Sequence, residues 1–302
     1  MIELLASSLR LSTPLLFAAM GGCLAERSGI ATICLEGVLL LAAFSSAAAA
    51  YASGQALVGL VAGLFAGMAA MSLHAFLVEK LKAQPIVSGV IVNLLAAGIP
   101  PLLSHAWFTS STNTPSLDQA ARMNPWHFGF FPEPLRPLVD QVPLVFLALA
   151  LPFVVHYLLY RTGLGLRILA AGDGPEALTA QGVNVTRIRM LALALAGIVT
   201  SLGGTFLAIG HASQFTRDMT AGRGFIALAA LIFGKWRPLP TLASCLLFGF
   251  ADALQIQLQS QTILGGYHPP IQLVQAFPYL ITLFVLVAFA GGSRPPRAVA
   301  QG

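Results

Sequence analysis

The feature that most constrains this chain is its division into apolar runs of about 20 residues, separated by single charges or short polar breaks. The run 56–78, for example, contains no Asp, Glu, Lys or Arg. A helix needs roughly 20 apolar residues to cross a hydrocarbon core about 30 Å thick, and a lipid-exposed backbone must satisfy its own hydrogen bonds. Only 9% of the residues are charged. The sequence therefore predicts a single all-α, polytopic transmembrane domain over residues 1–302, with nine or ten membrane helices.

The basic residues predict the orientation of these helices. Eleven of the sixteen Lys and Arg residues fall at five places that alternation through nine crossings puts on one side: Arg27, Lys80/Lys82, residues 161–189, Lys235/Arg237 and the C-terminal end. Arg10, Arg122, Arg136, Arg217 and Arg223 are then left outside. The positive-inside rule makes the first side cytoplasmic. Scattered single basic residues do not suggest a nucleic-acid surface.

Two loops stand out between the predicted spans. Residues 105–140 are rich in Pro and aromatic residues, which suits an external membrane–water interface. Residues 161–189 form a polar, Gly-rich loop on the basic side. We expect this second loop to bind a soluble partner.

Broken helices are open alternatives at two places. The segment from Gly21-Gly22 to Gly37 is predicted either as ordinary spans or as a broken or re-entrant helix that would add a crossing. Residues 225–233 are either part of a longer span or a half-helix ending at Gly234. Gly21-Gly22 and Gly203-Gly204 each precede a polar break and a small-residue helix, which indicates a weak inverted repeat.

Polar residues inside the apolar runs are candidates for a solute path. Glu36 and Asp252 are acidic residues within predicted spans, where a charge is costly unless it faces the protein interior. Asp252, Gln255 and Gln259 follow the spacing i, i+3, i+7 and so share one helical face, whereas Gln257 is expected to point elsewhere. Asn93 is a weaker candidate, because a membrane Asn often bonds a neighbouring helix. His74 is expected to be an interface residue.

Several classes of chemistry have no support in the sequence. It contains no GxxxxGK[ST], HExxH or GxSxG pattern. Cys23, Cys34 and Cys245 lie in apolar surroundings without metal-ligand spacing. We therefore expect no enzyme activity, no bound metal and no cofactor held by this chain itself.

Four stretches resemble one family, the membrane subunits of ABC importers for simple sugars, nucleosides and branched-chain amino acids, and most of all its nucleoside-type permeases. They lie in family order at residues 26–44, 84–96, 163–189 and 215–239, the last taken together with 248–259. Within the third, Glu176-Ala177 with Gly182 six residues after the Glu is similar to the EAA loop, although Leu178 replaces its second Ala. Pro175 at a first helical turn and Gly182 just past the end would bound a short helix.

The resemblance implies the other subunits of a transporter. Pro175, Glu176, Ala177 and Gly182 are expected to couple the chain to a separate ATPase subunit, which binds ATP and Mg²⁺. A second related permease, identical or paralogous, and an extracytoplasmic solute-binding protein complete the expected assembly in a bacterial cytoplasmic membrane. A nucleoside is the expected solute, and a ribose-type monosaccharide is the runner-up. An ion-coupled secondary transporter is the alternative outside this class.

Overall fold

The computed structural model describes residues 1–127, 130, 132–133, 136–260, 296 and 299. Within this part of the chain, seven helices are long and apolar enough to cross a membrane. The expected all-α polytopic fold is confirmed. The predicted last span, residues 271–290, with the preceding turn at Gly265-Gly266, lies outside the described residues.

The helices follow the apolar runs closely because each run must hydrogen-bond its own backbone. In chain order they are α1 (Ile2–Arg27), α2 (Leu35–Ser53), α3 (Ala56–Glu79), α4 (Pro85–Phe108), α5 (Arg136–Val139), α6 (Pro143–Arg161), α7 (Gly163–Asp173), α8 (Pro175–Ala180), α9 (Val185–Thr205, continued as a π-helix over Phe206–Ala212), α10 (Arg223–Phe233) and α11 (Pro238–Ser260).

The two open alternatives are resolved by the helix bounds. Helix α1 runs unbroken through Gly21-Gly22, so this segment adds no crossing. The break lies instead at residues 28–34, between α1 and α2. Residues 223–233 form the short helix α10, which agrees with a half-helix ending at Gly234.

Two loop boundaries also need correction. The loop that was predicted to be external begins at Thr109 rather than at residue 105, because α4 continues to Phe108. Residues 161–189 are largely helical, since they contain α7, α8 and the start of α9. Polar composition alone did not reveal α7. One face of this helix is buried against the membrane helices.

Small residues let the central helices pack closely. Gly59, Gly63 and Gly67 form a stripe along α3 at intervals of four residues. A Cβ at Gly63 would overlap Thr205 of α9 and lie 3.1 Å from Ser46 Cβ of α2. This is the small-residue packing that membrane helices use in place of a hydrophobic driving force. It makes α2, α3 and α9 one packed unit.

Helices α1 and α9 pack against each other in opposite directions. A Cβ at Gly21 would meet the Ala196 carbonyl, and one at Gly203 would meet the Pro14 carbonyl. Each helix is followed by a non-helical linker and then a further helix, α2 or α10, and the first turns of these two helices meet at Glu36 and Gly224. This geometry agrees with the inverted repeat indicated by the two glycine pairs.

Four of the five basic segments lie together at one end of the bundle, which we call the basic end. Arg27 donates through Nε to the Trp236 carbonyl at 2.8 Å and through Nη2 to the Tyr160 hydroxyl at 3.4 Å. Arg189 pairs with Glu79, just before Lys80 and Lys82. The fifth segment, at Arg294 and Arg297, lies outside the described residues.

Candidate functional site

Helix α8 has the bounds that the sequence predicts. Pro175 occupies its first turn, and its missing N–H costs nothing there. Gly182 adopts φ +74°, and its N–H donates to the Thr179 carbonyl at 2.9 Å while the Val183 N–H donates to the Leu178 carbonyl at 3.0 Å. A left-handed glycine with these bonds ends the helix.

Helix α8 is anchored by one buried residue and exposes its outer face. Leu178 is buried, whereas Glu176, Ala177 and Thr179 are exposed. A groove of about 530 Å³ runs between α8 and the end of α3, with Glu176, Lys82 and Arg189 among its lining residues. An anchored short helix beside a groove can serve as a docking surface for a soluble partner.

Arg189 joins α7, the helix that precedes this short helix, to the membrane helices. Its Nη1 donates to Glu79 Oε1 at 2.9 Å, and both side chains are largely buried. Glu79 Oε2 accepts a second hydrogen bond, from Thr186 Oγ1 at 2.8 Å. The buried ion pair therefore fastens the start of α9 to the end of α3.

The remaining guanidinium donors of Arg189 reach two backbone carbonyls. Nε donates to the Ser28 carbonyl at 3.1 Å, and Nη2 donates to the Ala171 carbonyl on α7 at 3.1 Å. Nearby, a Cβ at Gly172 would overlap the Arg27 carbonyl. One planar side chain thus connects α3, α7, α9 and the start of the α1–α2 linker.

A second junction lies immediately beside Arg189. Buried Glu26 accepts from the Trp236 indole N–H at 2.5 Å and from the Thr32 backbone N–H at 3.2 Å. Lys235 and Trp236 both have φ of 54°, an unfavourable backbone for residues with side chains. Glu26 therefore holds the α10–α11 turn against the α1–α2 linker.

Glu36 lies at the opposite end of that linker, where it caps the half-helix α10. Its carboxylate accepts from Thr220 Oγ1 at 2.6 Å, from the Gly222 N–H at 2.8 Å and from the Gly224 N–H at 2.6 Å. A carboxylate at a helix N-terminus satisfies unpaired N–H groups and the helix dipole. These contacts give Glu36 a structural task, and its place in a solute path stays a prediction.

Asn93 and His74 fix the same linker from the side. The Asn93 amide donates to the Ile33 carbonyl at 3.1 Å and accepts from the Gly37 N–H at 2.8 Å. His74 contacts Ser88 Oγ through Nδ1 at 2.8 Å and the Ala31 carbonyl through Nε2 at 3.1 Å. Asn93 thus makes the interhelical contacts expected of a membrane Asn, and His74 lies at a helix interface as predicted.

The polar residues of α11 differ in their exposure and in whether they line a cavity. Asp252 and Gln255 are half-buried and Gln259 is exposed. A cavity of about 560 Å³ is lined instead by Gln257, with Ala253 and Ile256 of the same helix. Gln257 thus points away from the face of these three residues, as expected, but spacing did not show that its own face is the one that borders a cavity.

Arg10 was expected on the side opposite the basic segments, and it was not singled out as a site residue. It is inside α1, about 12 Å along the helix from Ile2, and it lines this cavity together with Ser7 and His211. Arg189, Glu79, Glu26 and His211 were likewise not singled out as site residues. The available signal was that each is a polar residue within or at the end of an apolar run.

The comparisons with known proteins agree with this architecture. The family model described as the permease component of the branched-chain amino acid transport system matches residues 4–286. The chain therefore belongs to that family of ABC transporter permeases. It is a multi-pass protein of the inner membrane.

Several relatives are similar over much of their length. The nucleoside ABC transporter permease protein NupC of Lactococcus lactis is 31% identical over 98% of this chain and 94% of its own. The guanosine ABC transporter permease protein NupQ of Bacillus subtilis is 33% identical over 95% and 92%. The ribose import permease protein RbsC of Escherichia coli is 29% identical over 66% and 60%.

A solved structure shares the fold at low sequence identity. It is a metal-chelate type ABC transporter in an inward-facing conformation, with a TM-score of 0.51 and 17% identity over 94% of this chain and 84% of that one. An ABC permease works with an ATPase, so this chain is one part of a larger transporter.

Proposed function

We propose that this chain is the permease subunit of an ATP-driven importer for a nucleoside and that α8 is the helix on which its ATPase acts. The observation that carries the coupling role is the position of α8: its outer face is exposed at the basic end, and Arg189 ties the segment around it to the α1–α2 linker. The positive-inside rule makes that end cytoplasmic.

The partner ATPase would supply the bound ATP and Mg²⁺. Closure of its two halves would displace α7 and α8 as a unit, because Leu178 and Gly172 pack against the body. Arg189 would pass the displacement to Ser28. The linker leads from there to the hydrogen bonds made by Asn93 and to the helix cap made by Glu36. Such a hinge or shear change can switch a cavity between the two sides of a membrane.

The solute assignment has its support in the relatives. NupC and NupQ, named for nucleosides and guanosine, match nearly the whole chain, whereas RbsC, named for ribose, matches two thirds of it. A nucleoside contains both a base and a pentose, so ribose is the appropriate second candidate.

The remaining assignments complete the proposal. The chain itself performs no catalysis. A second permease, identical or paralogous, would pack against the exposed apolar surfaces, and an extracytoplasmic binding protein would deliver solute to the end opposite the basic one. Pro175, Glu176, Ala177 and Gly182 would contact the ATPase.

Replacement of Glu176 by Ala or of Gly182 by Ala should reduce ATP-driven uptake by roughly 5- to 150-fold while the permease stays folded. Glu176 is exposed, and Gly182 has open space where a Cβ would lie, although its φ of +74° makes Ala unfavourable. Uptake and ATP hydrolysis would be measured in proteoliposomes that contain the complete transporter.

The matched control is Asp118→Ala, which removes an exposed carboxylate outside the basic end. It should transport at the wild-type rate. Normal ATP-driven uptake by the Glu176 and Gly182 variants would remove the coupling role of α8. Uptake driven by an ion gradient and insensitive to both changes would favour a secondary transporter.

A further inference from the structure

The 560 Å³ cavity lies at the end of the protein opposite the basic end. It is bordered by the N-terminal half of α1, by the last residues of the π-helix and by the C-terminal half of α11. The other ends of α1 and α11 carry Arg27 and Arg237. The cavity has the size of a site for a small organic molecule, since such sites occupy about 300 to 1,000 Å³.

Arg10 supplies a cation to this cavity from within a membrane helix. An Arg inside a span is costly, and an ionisable residue in that position marks a solute or ion route by default. Among the described residues Arg10 forms no ion pair; its side chain is exposed, and its Nη2 donates to Ser7 Oγ at 3.5 Å. Ser7 and Arg10 are three residues apart, so both side chains face the same side of α1.

His211 supplies a flat ring on the facing wall. Its ring stacks on Phe206, with the centroids 6.2 Å apart and an interplanar angle of 24°. The residue is exposed and lines the cavity. It belongs to a π-helical stretch of seven residues, a rare conformation that occurs often at functional sites.

The third wall combines an amide with apolar surface. Gln257 and Ile256 of α11 line the cavity, and Leu11 of α1 does so on the other side. An amide both donates and accepts hydrogen bonds, as do the edges of a nucleobase. Glu3 and Leu4 complete the lining, so the cavity holds one carboxylate and one guanidinium among polar and apolar groups. Apolar surface with convergent polar groups is typical of small-molecule sites.

We propose that this cavity is a solute-binding site of the permease itself and that it takes a neutral, planar nitrogen heterocycle carrying a pentose. The heterocycle stacks on His211, and Arg10 and Gln257 bond its polar edge. This inference rests on the proposed import of nucleosides and adds a site at which the permease selects them after release from the binding protein.

The test measures equilibrium binding of radiolabelled guanosine, guanine and ribose to the permease–ATPase complex in nanodiscs, without any binding protein. His211→Ala should weaken guanosine binding by roughly 5- to 150-fold, the range that loss of one base–aromatic stack produces. His211→Phe retains a flat ring and should bind nearly as well as the wild type. Leu247→Ala, an exposed change on the same helix outside the cavity lining, is the control and should bind normally.

The possible failures are distinguishable. If the wild-type complex with its binding protein imports guanosine on ATP but binds none without that protein, or if binding is the same in His211→Ala, the cavity site is overturned and the proposed function stands. Tighter binding of ribose than of guanosine, unaffected by His211→Ala, would also overturn the site. A wild-type complex that imports no nucleoside with ATP would overturn the proposed function. A higher affinity for guanine than for guanosine would overturn the pentose requirement.

Discussion

Replacement of Arg189 by Lys should uncouple the transporter, with uptake reduced by roughly 5- to 150-fold while the complex still hydrolyses ATP. A lysine ammonium can keep the attraction to Glu79. It cannot reproduce the planar fork through which Arg189 reaches Glu79, the Ser28 carbonyl and the Ala171 carbonyl at once. The ratio of solute imported to ATP hydrolysed in proteoliposomes measures the effect.

Arg187→Lys is the matched control for this prediction. Arg187 lies two residues away on the same helix and is exposed. The same substitution there should leave the ratio unchanged. If Arg189→Lys also keeps the wild-type ratio, Arg189 is only a counter-ion for Glu79, and movement of α8 must reach the linker by another route.

Replacement of Glu36 by Ala should destabilise the permease by about 3 kcal/mol or more. The change leaves the Thr220 hydroxyl and the N–H groups of Gly222 and Gly224 without their carboxylate acceptor, and a hydrogen bond to a charged group contributes about 1.5 to 3 kcal/mol. The expected signal is a fall in Tm of roughly 6 °C or more for the solubilised protein.

Asp252→Asn provides the comparison, because Asp252 makes no hydrogen bond within the described part of the chain. Its Tm should stay close to that of the wild type. If Glu36→Ala keeps the wild-type Tm but loses uptake, the carboxylate acts in the solute path and not as a helix cap.

Much of the architecture could be predicted because its causes are local. Each apolar run satisfies its own backbone as a helix, so hydropathy alone places most spans. Helix α8 was predicted to within a few residues because Pro175 and Gly182 act through their own backbone geometry. The interface role of His74 followed from its position near the end of a membrane helix.

The linker at residues 28–34 could not be predicted in the same way. Its residues Ile30 to Cys34 are as apolar as those of a membrane helix. They are held non-helical by side-chain contacts: Glu26 accepts from the Thr32 N–H, and Asn93, 60 positions away, donates to the Ile33 carbonyl. Such pairings appear only once the chain has folded. The Arg189–Glu79 pair joins residues 110 positions apart, so sequence spacing gave no sign of it.

The cavity shows a second limit of sequence reasoning. The i, i+3, i+7 spacing correctly groups Asp252, Gln255 and Gln259 on a common face, but only tertiary packing decides that Gln257 borders the cavity. Arg10 was not recognised as a cavity residue, because a charge count gives the side of the membrane and not what a side chain borders.

The central claim, that α8 at the basic end docks onto the ATPase, can be tested directly by site-specific cross-linking. Cys23, Cys34 and Cys245 are fully buried, so a single exposed cysteine can be introduced without removing them. Thr179→Cys places a thiol on the outer face of α8, and Ser111→Cys places one on the loop at the opposite end. With a short bis-maleimide and the assembled transporter, we expect Thr179→Cys to cross-link to the ATPase and Ser111→Cys not to do so. Cross-linking from Ser111→Cys with none from Thr179→Cys would contradict the account.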